Sequence, residues 1–190
     1  MVDYITYNNQ NATRSGVLDP DLIKRLAYLK NLGVSMDVFS GGQPTAAEGG
    51  ARTGSTRHDH GNAADVFFYK DGRRLDWSNP DDLPIFEDIV SQGKAAGITG
   101  FGAGPNYMRQ GSMHIGMGNP GVWGAGGKGD NAPDWLKAAY NGTELPKNND
   151  DYIGPAVPGK IDPVAEVVAA GSNPTTATKS EAESRITMAS

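Results

Sequence analysis

Thr56-Arg57-His58-Asp59-His60-Gly61-Asn62-Ala63-Ala64-Asp65-Val66-Phe67-Phe68-Tyr69 runs a polar loop straight into an apolar strand. Side chains alternate with period two along a strand, so Ala64, Val66 and Phe68 share one face and Ala63, Asp65 and Phe67 the other. Asp65 is thereby placed inside a strand among apolar neighbours, where a lone carboxylate is costly to bury and a bound cation removes the difficulty. On a continuous strand His58, seven residues earlier, would face away from Asp65. Gly61 lets the chain turn between them, so His58 can fold back beside the carboxylate.

A third residue of the same kind lies downstream. In 112–117, Met113, Ile115 and Met117 point to a core while Ser112, His114 and Gly116 point the other way, and only His114 has bulk there. Two imidazoles and one carboxylate favour zinc, with the fourth position left to water, the catalytic rather than the structural pattern. His58, Asp65 and His114 are the expected ligands. His60, the other histidine of the chain, stands as an alternative to His58, as an outer partner or as a substrate contact.

Working outward, residues 19–33 read as a helix with Pro20 in its first turn, Leu22, Leu26 and Leu29 on one face and Gly33 as its stop. Residues 34–39 are expected as a strand, 43–62 as a loop, 63–69 as a strand and 70–73 as a hairpin turn on Asp71-Gly72. A helix over 80–96, strands over 98–101 and 112–117, and a closing helix over 133–140 complete an α+β fold: a small mixed or antiparallel sheet with packed helices. The domain is expected over 1–142. From about Thr143 to residue 190 prolines punctuate small and polar residues, the composition of a linker or docking arm.

The chain has 190 residues, a net charge of −5 and no cysteine. The charge argues against nucleic acid as partner, which also disfavours a metal nuclease. The absence of cysteine excludes disulfides, thiolate zinc fingers and cysteine catalysis. The first ten residues lack the basic and apolar regions of a signal peptide, and no apolar run approaches the roughly 18 residues of a membrane span.

The stretch 56–65 resembles the Ser-x-His-x-x-Gly-x-Ala-x-Asp signature of the M15-type zinc peptidases, the D-Ala-D-Ala carboxypeptidase and phage endolysin group, with Thr56 where serine is usual. Ser112-Met113-His114-Ile115-Gly116 is similar to the later strand that supplies the last zinc histidine, and Ser40-Gly41-Gly42-Gln43 to the family's upstream Ser-Gly-Tyr-Arg. Trp123-Gly124-Ala125-Gly126-Gly127 looks like phage-encoded members. The resemblance, over roughly 18–140, implies the small zinc-peptidase fold, bacterial peptidoglycan as substrate and His58, Asp65 and His114 as ligands. It also implies action on the cell wall from a phage virion or the host cytoplasm. Gln43 and Arg57 are then expected at the substrate. Residues 108–113 carry no carboxylate, so the proton-handling group is sought in Glu48, Asp59 and His60. The competing expectation is a virion or assembly protein that keeps the fold for binding and docks through its tail.

Overall fold

The computed structural model describes residues 4–8 and 12–143. The tail expected from residue 143 lies outside the described residues, apart from Thr143 itself. Seven strands form one mixed sheet: β1 (Ile5–Tyr7), β2 (Val34–Ser40), β3 (Ala63–Lys70), β4 (Arg73–Arg74), β5 (Gly100–Gly102), β6 (Ser112–Gly116) and β7 (Gly121–Trp123). Their order is β1-β2-β3-β6-β5-β7, with β4 paired to β3. The β1–β2 and β5–β7 pairs are parallel and the others antiparallel. The helices are α1 (Pro20–Arg25), α2 (Tyr28–Asn31), α3 (Leu83–Ala95) and α4 (Asp134–Asn141). The architecture is mixed α+β.

Alternation along the strands sends Met36, Val38, Ala64, Val66, Phe68, Met113 and Ile115 into one core with Leu22, Leu26 and Leu29, Phe86, Ile89 and Val90, and Leu136 from the helices. Each of the larger side chains is stabilised by about 1.5–3 kcal/mol relative to exposure.

Several boundaries differ from expectation, each for a local reason. The helix expected over 19–33 is two: after Leu26 the backbone bonds shorten to three-residue spacing (Ala27 N–H to Lys24 O, Leu29 N–H to Leu26 O), which separates α1 from α2 while all three leucines stay buried. Gly33, at φ 65°, ends α2 as read. The helix expected from residue 80 starts at Leu83, because Asn79 first closes a turn with Asp81 and Asp82. The strand expected over 98–101 is shifted to Gly100–Gly102. The strands β1 and β7, three residues each, were not expected from the sequence. Asp71 and Gly72, at φ 52° and 76°, make the primed hairpin turn that the Asp-Gly pair demands.

Candidate metal centre

The pairing of β3 with β6 sets Asp65 directly opposite His114. The neighbouring registers extend this pair into a row across five strands: Ser40, Asp65, His114, Gly102 and Trp123. His58 reaches the row from a single turn of 3₁₀ helix, Thr56–His58, that Ser55 caps by accepting from the Arg57 N–H. The reversal that returns the chain to β3 uses left-handed residues at His60 (φ 55°) and Gly61 (φ 79°). Gly61 has no alternative, since a Cβ there would stand 2.3 Å from the Val17 carbonyl oxygen.

All three side chains are 0 % exposed. The His58 Nδ1–H donates to the Gly41 carbonyl at 2.9 Å, which fixes the tautomer and leaves the Nε2 lone pair directed inward. That Nε2 lies 3.5 Å from Asp65 Oδ1 and makes no hydrogen bond. His114 Nδ1 lies 3.0 Å from the same oxygen. These separations bracket the ~3.3 Å edge of a tetrahedron built on ~2.0 Å zinc–ligand bonds, and all three ligand atoms lie within 4.8 Å of one another. The donor set, the buried Nε2 and the spacing fit a divalent metal ion, with His58 offering Nε2, His114 a ring nitrogen and Asp65 a carboxylate oxygen.

Electrostatics favour the charge states a metal needs. Burial pushes the His58 imidazole below its ordinary value, toward the neutral form that a ligand needs. Burial pushes the Asp65 carboxyl up, but the facing His58 and the hydrogen bond from His114 outweigh it and hold it well below the usual carboxylate range. Arg14 completes the balance. Its guanidinium, 1 % exposed, lies 3.4 Å from Asp65 Oδ2 and donates twice to the Thr53 carbonyl. Nothing in the spacing around Arg14 signals this role, and the sequence reading missed it.

Trp123 was missed for a different reason: β7 is too short to read. Its ring packs 5.2 Å from the His114 ring, and the Arg57 guanidinium stacks on Trp123 at 4.3 Å. The stack requires absent side chains. A Cβ on Gly102 would lie 2.4 Å from the Trp123 indole nitrogen, and one on Gly100 2.4 Å from the Arg57 guanidinium. Arg57, expected at the substrate, is instead buried, donating to the carbonyls of Met117 (2.7 Å) and Asn119.

The remaining expected residues lie in the loop 43–62. Gln43 is buried, donates to Ser55 O and Asp59 Oδ1 and accepts from the Thr53 N–H, so its amide braces the loop. Asp59 also accepts from Arg52 at 2.7 Å. Glu48 and His60 are joined at 2.7 Å on the surface, and hydrogen bonds from Thr45 and His60 lower the Glu48 carboxyl to about 2. Both line a groove with Gly16, Val17, Gly42 and Pro44. Among the described residues no second acid joins His58, Asp65 and His114. No helix there is long and apolar enough to cross a membrane. Compared with known proteins, the chain matches no family model, no curated protein and no solved structure.

Proposed function

We propose that the chain is a zinc-dependent hydrolase of peptide bonds in the stem of bacterial peptidoglycan, working from a phage virion or on release from the host. The meeting of His58, Asp65 and His114 in one buried cluster with catalytic-type donors carries this reading. The sequence likeness of 56–65 and 112–116 to the zinc D-Ala-D-Ala peptidases supports the substrate class. Zinc, when bound, supplies a Lewis acid and an activated water. The chain's own part is to hold that ion with three neutral or singly charged donors, to balance Asp65 with Arg14 and to keep His114 oriented against Trp123.

Proton handling falls to the Glu48–His60 pair, which the Thr45 contacts hold on the groove beside Gly42 and Gln43. Purified cell-wall sacculi incubated with the protein should release peptide amines, should stop doing so with chelator and should resume on zinc addition.

A second reading rests on a specific observation: among the described residues the cluster contains no second acid, and the Asp59 carboxylate is already held by Gln43 and Arg52. On that reading the protein binds zinc as a structural ion and binds a partner without cutting. Stoichiometric zinc with no release from any sacculi would decide for it.

A further inference from the structure

Seven arginines lie among the described residues, and five are held by oxygen: Arg14 by Asp65, Arg25 by Ala96, Arg52 by Asp59, Arg57 by Met117 and Arg73 by Asp82. Arg74 and Arg109 differ. Both are exposed, and each guanidinium lies over an aromatic ring, Arg74 on Phe67 at 4.7 Å and Arg109 on Phe39 at 4.8 Å. The two rings are themselves in contact, with centroids 5.1 Å apart. Asp76, a carboxylate in electrostatic reach of Arg74, has its oxygens engaged by Ser78 and Gln110.

Register ties this group to the metal row. Phe67 is two residues beyond Asp65 on the same face of β3, hence about 7 Å along the strand. Arg74 pairs with Tyr69, two further residues along that face. Phe39, where the β2–β3 register shifts, packs against the small cluster formed by Tyr107, Met108 and Trp123, and the Trp123 ring lies against His114. A half-buried aromatic pair flanked by two cations therefore runs outward from the candidate centre.

We propose that Phe39, Phe67, Arg74 and Arg109 form a ledge that recognises a carboxylate on the peptide substrate, within about two residues of the bond cleaved. The substrate's identity rests on the hydrolase reading; the anion preference rests on the ledge alone. A guanidinium stacked by its face on a ring keeps its N–H edge free for bidentate donation to a carboxylate. The rings back the ligand's apolar stem and exclude water, and the free positive charge stands out on a chain of net charge −5. A neutral sugar would use the rings but not the arginines.

The test is calorimetric binding of a stem tripeptide, L-Ala-γ-D-Glu-L-Lys, to the zinc-loaded full chain, with the glutamyl carboxylate either free or amidated. The free acid should bind about tenfold tighter, and the preference should shrink as salt rises. The double variant Arg74→Gln, Arg109→Gln should erase the preference while zinc content and affinity for the amide stay unchanged. Equal binding of the two forms, no binding of either, or a preference that survives in the variant overturns the ledge, as does equally tight binding of a peptide-free glycan. Sacculi left uncut while the acid preference persists count against the hydrolase reading and leave the ledge standing.

Discussion

Around Asp65 and His114 the two faces of the β3–β6 pair are both fully buried and are built in opposite ways. On the helix side, Ala64, Val66, Met113 and Ile115 meet a continuous apolar core, where area and close packing supply the stability. On the other side, Asp65 and His114 are just as inaccessible, yet they face Arg14, His58 and Trp123. The first face tolerates imprecision, because any apolar side chain of similar volume regains most of the transfer energy. The second depends on register. A slip of one residue would move Asp65 and His114 into the core and two apolar side chains into their row.

The sharpest way to break this contrast is to truncate one residue on each face. Asp65→Ala should abolish zinc binding in metal analysis. It should also destabilise the fold by about 3–5 kcal/mol in denaturant titration, because the Arg14 guanidinium loses its buried carboxylate. Met113→Ala should cost about 2–5 kcal/mol through its cavity and retain zinc. Full zinc in Asp65→Ala, or its loss from a folded Met113→Ala, would remove the distinction between the faces.

Gly102→Ala sharpens it next. The added methyl must displace Trp123, and with it the support of the His114 ring, so zinc affinity should fall about 10–100-fold by chelator competition with most stability retained. Unchanged affinity would mean that the stack is packing alone. Away from the row, Glu48→Gln and His60→Ala should leave zinc content intact and, if the pair handles the proton, lower sacculus hydrolysis by a factor of roughly 100.

How much of this was legible follows from where each signal resides. The strand members of the cluster, Asp65 and His114, were readable because alternation along 63–69 and 112–117 puts a charged or ring-bearing polar residue on a strand face that sequence alone marks as buried. Gly61 was readable because bringing His58 beside Asp65, seven residues on, needed a reversal. Arg14 was not: its contact with Asp65 spans 51 positions, and an isolated arginine in a polar stretch carries no periodic signal. Trp123 escaped because a three-residue strand has no period to detect. Gln43 and Arg57 were expected at the substrate by likeness to a motif, and the carbonyls to which each donates are invisible in sequence. The break between α1 and α2 was likewise hidden, since the leucine spacing of a helix survives a tightened turn.

The smallest effect concerns β4, where period two splits a pair of arginines between the faces. Arg74 lies over Phe67 on the metal side, while Arg73 turns toward α3 and makes a two-pronged bond with Asp82. The Arg73 hydrogen bond, aided by the Asp76 N–H, holds the Asp82 carboxyl below its ordinary value. A carboxylate lowered on folding contributes stability above its unfolded pKa, near 3.9, and that contribution disappears as pH falls through the folded value. Because Arg73 is largely in water, the pair is screened and its contribution is small. Asp82→Asn should lower the melting temperature at pH 7 by about 2–4 °C, and the gap from the parent should close as pH drops below about 4. Raising salt should narrow the same gap at pH 7. A gap that persists at pH 2.5 would mean that Asp82 acts through shape and neutral hydrogen bonds to Asp76 and Asn79, and that the helix-side face uses no charge at this corner.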